Sequence, residues 1–113
     1  MSNDEPILVL CTAPAEGDQA AKLAAGLVEA RLAACVNMVP GLRSFYRWGG
    51  KVHDDPEVQL LIKTRRSRYA ELEHWLGEHH PYDVPEILAL PITAGSQAYL
   101  DWLVAQTEPA SSG

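Results

Sequence analysis

Apolar segments of two kinds alternate along this 113-residue chain, and their order limits the folds that it can adopt. Continuous apolar runs predict buried strands, whereas apolar residues spaced three and four apart predict helices. The order is that of an α+β, ferredoxin-like split β-α-β sandwich with an extra C-terminal helix. In chain order the predicted strands and helices are Ile7–Cys11, helix Asp18–Arg31, Cys35–Trp48, Lys51–Thr64, helix Ser67–His80, Glu86–Leu90 and a short helix with Tyr99, Leu100 and Leu103.

Two glycines stand between the second and third predicted strands and indicate a tight reversal. Gly49-Gly50 would join these strands into a long β2-β3 hairpin. Pro40-Gly41 interrupts the first of them, and Pro56 is expected to mark a bulge in the second, because proline donates no ladder hydrogen bond. The hairpin is too long for one small domain to cover. Three aromatic residues near its tip therefore indicate either a surface between subunits or a cover folded back over their own sheet: Phe45, Tyr46 and Trp48.

The bulk composition excludes several classes of protein. Because 47% of its 113 residues are hydrophobic, we expect a single domain over residues 1–113 with an ordered core at residues 6–106. A net charge of -6 opposes nucleic-acid binding. With no long apolar run and no secretion signal at the amino terminus, we expect no membrane partner and a cytoplasmic location with reduced cysteines. The one basic cluster is expected to be a solvated junction rather than an anion site: Lys63, Arg65, Arg66 and Arg68.

The segment from His79 to Glu86 concentrates side chains that can bind ligands. It reads His-His-Pro-Tyr-Asp-Val-Pro-Glu. Each proline fixes its own φ angle and disfavours helix in the residue before it, so we expect the chain to leave a helix at His80 and to run extended into the next strand. The segment indicates either a binding site or a helix end where the histidines complement the helix dipole.

The predicted topology brings further donors to the same corner. The sheet order of this fold is 4-1-3-2, so the end of strand one meets the start of strand four and Cys11 is expected near Glu86. The second helix ends at the same edge, which brings His79 and His80 towards Cys11. Thiolate, imidazole and carboxylate groups together suit copper or zinc better than magnesium or calcium. A metal site is therefore one hypothesis, beside a hydrogen-bonded structural cluster or a pocket for another ligand.

Catalysis with Cys11 as nucleophile and a histidine as base is a weaker alternative. Cys11 lies in an apolar run with no helix amino terminus directed at its sulfur, so nothing lowers its pKa or supplies an oxyanion hole. We therefore expect no enzyme activity and no catalytic residue. Cys35 is expected to be a small buried hydrophobic residue. The topology places it at the opposite end of the sheet from Cys11, which disfavours a disulfide.

Short motifs spread from about Ile7 to Leu103 match those of one known family. As a set they resemble the CutA family of divalent-cation tolerance proteins. The matching stretches are Cys11-Thr12-Ala13-Pro14, Leu32-Ala33-Ala34-Cys35-Val36-Asn37, Tyr46-Arg47-Trp48 with Gly50-Lys51, Ile62-Lys63-Thr64, His80-Pro81-Tyr82 with Pro85-Glu86, Leu90-Pro91-Ile92, and Tyr99-Leu100 with Trp102.

The resemblance implies a ferredoxin-like subunit in a homotrimer whose long hairpins join sheets between subunits. It also implies copper binding and a contribution to metal-ion tolerance, without catalysis. By position, the family's ligands fall on Cys11, His79 and His80, with Glu86 nearby. Zinc or another divalent cation is the alternative to copper. The alternative function is that of a PII-like trimeric small-molecule sensor or signalling scaffold with no physiological metal.

Overall fold

The chain folds into the α+β arrangement that the sequence predicts, in a computed structural model that describes residues 4–109. The order of strands and helices is the predicted one, and the fold class is confirmed. The bounds are β1 Pro6–Pro14, α1 Gln19–Glu29, β2 Cys35–Trp48, β3 Lys51–Arg65, a 3-10 turn Arg66–Arg68, α2 Tyr69–His79, β4 Leu88–Pro91 and α3 Gln97–Gln106. None of the helices in these residues has the length and apolar character needed to span a bilayer.

The four strands form one antiparallel sheet in the order β2-β3-β1-β4, as predicted. β1 is the strand that meets both neighbours near the candidate site, since Leu10 pairs with Leu61 of β3 and with Leu88 of β4. Alternate residues of β1 point to the helices, so Val9 and Cys11 are fully buried. They belong to one apolar core with residues of β3, α1 and α2: Leu60, Ile62, Leu23, Leu27, Leu72 and Leu76. Each such fully buried side chain contributes about 1.5–3 kcal/mol by leaving water.

The long hairpin has its turn where the glycine pair predicts it and its irregularity at the expected interruption of β2, but not the bulge expected at Pro56. Gly49 and Gly50 adopt φ angles of +60° and +76°, a left-handed region that glycine enters without steric cost. The prediction of a bulge at Pro56 was wrong, because Pro56 pairs in register with Arg43. The register shifts instead between Val39 and Leu42. Pro40 and Gly41 lie there, and Gly41 adopts a φ of +88°.

The beginning of α2 also differs from the prediction. The predicted helix begins at Ser67, a residue type that commonly caps helices, but the backbone N–H and the hydroxyl of Ser67 both donate to the Asp4 carboxylate at 2.8 Å. A 3-10 turn at residues 66–68 precedes the helix, and Arg68 takes the cap position. The far end is as predicted, because α2 ends at His79 and His80 is extended before Pro81. β4 begins at Leu88 rather than at Glu86.

The basic cluster is only in part the solvated junction that we expected, because Arg65 and Arg68 are buried and form ion pairs, whereas Arg66 is exposed. The Arg65 side chain is 10% exposed and lies 2.7 Å from Asp4. Its Nε donates to the Thr107 hydroxyl at 2.9 Å, and a second nitrogen lies 3.5 Å from Glu108. Burial raises the pKa of Asp4, but hydrogen bonds from Ser67 and the charge of Arg65 outweigh it and lower the pKa below 3.8. This pair therefore stabilises the fold above about pH 3.8 and less as the pH falls further.

Removing the buried guanidinium of Arg65 should lower the free energy of unfolding more than removing the exposed guanidinium of Arg66. Arg65→Met removes the ion pair with Asp4 and the hydrogen bonds that Arg65 donates to the hydroxyl and carbonyl of Thr107, so we expect the free energy of unfolding to fall by about 2 kcal/mol. Arg66→Met is the matched control, because the Arg66–Glu5 pair is more than half exposed and such pairs contribute about 0.5 kcal/mol. Urea unfolding at neutral pH measures both changes. Equal losses of unfolding free energy in the two variants would show that the buried position of Arg65 adds nothing to its contribution to stability.

Candidate functional site

His80 ties the end of α2 to the end of β1. Its Nε2 lies 2.8 Å from the carbonyl oxygen of Thr12, and its Nδ1 lies 3.0 Å from the backbone nitrogen of Tyr82. The Tyr82 N–H can only donate, so Nδ1 is the acceptor and the proton of the neutral ring is on Nε2. His80 is buried, and Pro81 holds the following backbone extended. The segment after α2 is therefore fixed by a doubly bonded imidazole.

Cys11 approaches the same carbonyl oxygen from inside the core. It is fully buried, and its Sγ lies 3.7 Å from the Thr12 oxygen. Burial raises the pKa of the Cys11 thiol to about 12, with smaller contributions from the negative charges of Glu86 and Glu57. A catalytic cysteine needs the opposite, a pKa lowered by nearby positive charge, so the environment of Cys11 argues against nucleophilic catalysis.

His79 points away from this corner. Its Nδ1 donates to the Trp75 carbonyl at 2.8 Å, one turn earlier in α2, and its ring stacks on the indole at 4.0 Å between centroids. The indole in turn lies against Gly26 of α1, where an added Cβ would stand 2.6 Å from the ring. Nε2 of the exposed His79 has no hydrogen-bond partner within residues 4–109.

The structure brings three of the four predicted metal ligands to one end of β1 and leaves the fourth on the helix surface. Cys11 and His80 share the Thr12 oxygen, Glu86 acts on Cys11 through its charge, and His79 faces Trp75. The thiol and imidazole are donor types that copper and zinc accept. Both carry protons as they stand, however, and no three His, Cys, Asp or Glu side chains in residues 4–109 are arranged to hold a metal ion. The donor chemistry fits a metal ion, but the arrangement in a single chain is incomplete.

Cys35 differs from the prediction in its surroundings. It is half-buried rather than buried, and the register places it opposite Lys63 on β3. Val36, the next residue, packs against the core, so Cys35 points to the other face of the sheet from Cys11. Both cysteines are free thiols, as expected.

A cleft of about 660 Å³ adjoins the other face of the same strand end. The hairpin near Trp48 forms one side and the segment from Tyr82 to Glu86 forms the other, with Thr12 and Glu57 also lining it. The Tyr82 hydroxyl donates to Oε2 of Glu57 at 2.7 Å. Sequence reasoning named Tyr82 and Glu86 but missed Glu57. The available signal was a carboxylate directly before the apolar alternation that begins at Val58 of β3.

Comparisons with known proteins agree with the resemblance drawn from the motifs. Residues 7–106 match the family model described as CutA1 divalent ion tolerance protein. A relative in Thermus thermophilus named divalent-cation tolerance protein CutA is 52% identical over 100 residues, which cover 88% of this chain and 96% of the relative. The crystal structure of CutA1 from Oryza sativa has a TM-score of 0.89 at 43% identity, covering 94% of this chain and 96% of that one. A structure from Archaeoglobus fulgidus, described as the periplasmic divalent cation tolerance protein CutA, has a TM-score of 0.87 at 36% identity and covers 91% and 99%.

Acidification should destabilise the protein through His80. Burial lowers the pKa of His80 below 6.5, although its hydrogen bond to Thr12 and the charge of Glu57 act in the other direction. A histidine held neutral in the fold contributes stability that is complete above the unfolded pKa and is lost as the pH falls through the folded pKa. The free energy of unfolding should therefore fall below about pH 6.5. Urea unfolding in EDTA at fixed protein concentration measures it.

The matched variants separate His80 from the other histidines. His80→Gln should remove the dependence in this pH range. His74→Gln should keep it, because His74 is exposed on α2. If both variants follow the same pH curve as the unaltered protein, His80 is not the group responsible.

Proposed function

The chain belongs to the CutA1 divalent ion tolerance family, and from this premise we propose that it is a trimeric, non-enzymatic protein that binds a divalent metal ion, copper in the first place, and contributes to metal-ion tolerance. The observation that carries the proposal is the approach of the Cys11 thiol and the His80 imidazole to one oxygen, that of Thr12, at 3.7 and 2.8 Å. The names of the relatives support the tolerance role.

The proposed metal ligands are Cys11, His79, His80 and Glu86. Thiol and imidazole favour copper or zinc, with copper ahead in the usual order of affinities. Cys11 must give up its proton to bind, so metal affinity should rise with pH, whereas neutral His80 needs only to move its ring proton from Nε2 to Nδ1 to free Nε2. Nε2 of His79 has no hydrogen-bond partner within the described residues, and His79 directly precedes His80 in sequence, so a change of its rotamer would add a metal donor. Glu86 supplies negative charge that favours a cation.

The exposed apolar surface supports the trimer. Phe45, Trp48 and Val52 near the hairpin tip are 63%, 54% and 66% exposed, so the hairpin does not fold back over its own sheet. On the edge strand β4, Leu88 is 56% exposed. Large exposed apolar patches and open sheet edges are typical of surfaces that bind another chain. We also propose a cytoplasmic location, which the free thiols support because cysteines stay reduced there.

The cleft beside Glu57 favours a second function, that of a PII-like small-molecule sensor. Its volume of about 660 Å³ lies within the range of small-ligand pockets. Glu86 is both a proposed metal ligand and a residue of the cleft, but Cys11 faces the core and Thr12 lines the cleft, on opposite faces of the end of β1. Variants of Cys11 therefore test metal binding without altering the lining of the cleft.

Native mass spectrometry of the metal-stripped protein with limiting copper and zinc tests the main proposal. We expect a trimer that fills to one copper per subunit before zinc. A trimer that takes up neither metal would overturn the metal function and leave the assembly standing. A monomer that binds copper would overturn the trimer and leave the metal function standing.

Copper affinity should depend on Cys11 and not on the other cysteine. Cys11→Ala should weaken copper binding at least tenfold, about 1.4 kcal/mol, while the trimer persists. Cys35→Ala is the matched control, because Cys35 lies on the opposite face of the sheet, and its affinity should not change. Competition titration with a chromogenic copper chelator measures both variants. Equal affinities in Cys11→Ala and the unaltered protein would remove Cys11 from the ligand set.

Charge placed on the hairpin should break the trimer. Trp48→Glu puts a carboxylate in the proposed interface, where its desolvation opposes association. We expect light scattering to report a smaller mass. Val28→Glu is the matched control, because Val28 is an apolar residue 42% exposed on α1, away from the hairpin. An unchanged mass for Trp48→Glu would count against this interface.

A further inference from the structure

The two ring nitrogens of His80 have neighbours of opposite hydrogen-bonding character. Nε2 donates to the Thr12 carbonyl oxygen at 2.8 Å, and Nδ1 accepts from the backbone N–H of Tyr82 at 3.0 Å. A carbonyl oxygen can only accept and a backbone N–H can only donate, so these neighbours select the neutral ring with its proton on Nε2. His80 is 8% exposed and both neighbours belong to its own chain, so the pattern is independent of how subunits assemble.

A neutral imidazole that binds a metal ion cannot keep this pattern. Its single ring lone pair then lies on the ligating nitrogen, and the other nitrogen carries the proton and needs an acceptor. If Nε2 is the ligand, the proton lies on Nδ1 and faces the Tyr82 N–H, so two donors oppose each other. If Nδ1 is the ligand, its lone pair is no longer available to Tyr82. In both cases the hydrogen bond from Tyr82 to His80 is lost.

Tyr82 also connects His80 to β3. The Tyr82 hydroxyl donates to Oε2 of Glu57 at 2.7 Å, and Glu57 is 7% exposed. Hydrogen bonds to a carboxylate are stronger than those between neutral groups. The N–H and the hydroxyl belong to one half-buried residue that follows Pro81, whose ring fixes its own φ angle. Movement of the Tyr82 backbone away from Nδ1 therefore also disturbs the contact with Glu57.

We infer that metal binding at His80 is coupled to Tyr82, so that a metal ion bound through the imidazole releases the Tyr82 N–H from His80 and the Tyr82 hydroxyl from Glu57. The inference rests on the metal function proposed above and names the regulation of that site. Tyr82 is a positioning residue that holds His80 in its metal-free form and thereby opposes metal binding. Because such coupling is reciprocal, a change that loosens Tyr82 strengthens metal binding. Metal binding in turn alters the contacts of Glu57, which is not among the proposed ligands.

Hydrogen exchange of the Tyr82 amide tests the release directly. The metal-stripped protein is compared with the same protein saturated with copper or with zinc, and fragmentation in the mass spectrometer resolves single amides. We expect the Tyr82 amide to exchange at least about tenfold faster in the metal-bound protein, because it has lost its acceptor. Binding that merely ordered this segment would slow the exchange. The direction of the change therefore separates release from ordering.

The reciprocal effect is tested by a variant that should bind metal more tightly. Tyr82→Phe keeps the backbone N–H and removes the hydrogen bond to Glu57, so we expect copper affinity to increase about fivefold. A purely structural role for the hydroxyl would lower thermal stability without strengthening metal binding. Tyr69→Phe is the matched control, because Tyr69 also lies beside a glutamate, Glu73, but at the other end of α2, and its copper affinity should not change.

Competition with a chromogenic copper chelator measures both affinities, and thermal unfolding and light scattering verify that each variant is folded and assembled. Unchanged or slower exchange of the Tyr82 amide in the metal-bound protein would overturn the release. An affinity in Tyr82→Phe that is no higher than that of the unaltered protein, or an equal rise in Tyr69→Phe, would overturn the coupling. In these cases the protein still takes up metal, so the proposed metal function stands. Protein that takes up neither copper nor zinc would overturn the metal function and the inference together.

Discussion

β1 has hydrogen-bonded neighbours on both sides, and this pairing positions everything else at the candidate site. Because β3 and β4 hold the strand in register, its side chains alternate strictly between two environments. Cys11 enters the apolar core and Thr12 faces the cleft, although they are adjacent in sequence. The Thr12 carbonyl, left at the strand end, accepts from the imidazole of His80. The same end of β1 thus positions the Cys11 thiol, anchors the end of α2 through His80 and lines the cleft.

A structural role and a ligand role compete at His80. The ring already uses both nitrogens, one for Thr12 and one for Tyr82, and each such hydrogen bond contributes about 1 kcal/mol to stability. A metal ion that takes Nε2 must exceed this contribution and also displace the thiol proton of Cys11. Metal–thiolate and metal–imidazole bonds are strong enough to do so, since apparent free energies for structural zinc reach about 10 kcal/mol. Any binding at this corner would therefore involve rearrangement of the segment after α2.

The strands, helices and sheet order were predictable because periodicity and turn residues are local signals. The helix end at His80 followed from Pro81, and the turn at Gly49 from the glycine pair. The errors concern contacts between distant parts of the chain. Ser67 does not cap α2 because Asp4, 63 residues earlier, takes its hydrogen bonds. Arg65 is buried because its partners come from both ends of the described chain. The approach of Cys11 to Glu86 was predictable from topology, but the direction of the His79 side chain was not, because it depends on stacking against Trp75.

That stacking gives Gly26 a significance beyond its own helix. Glycine within a helix is worth about 1 kcal/mol less than alanine, so α1 has an evident position for improvement by ordinary protein engineering. An alanine there would stand 2.6 Å from the Trp75 indole, which would have to swing aside. The indole supports the ring of His79, at 4.0 Å between centroids. An alanine at Gly26, chosen to stabilise α1, would thus reorient the proposed metal ligand His79 on α2. Glycine makes α1 less stable but leaves room for the indole that holds His79.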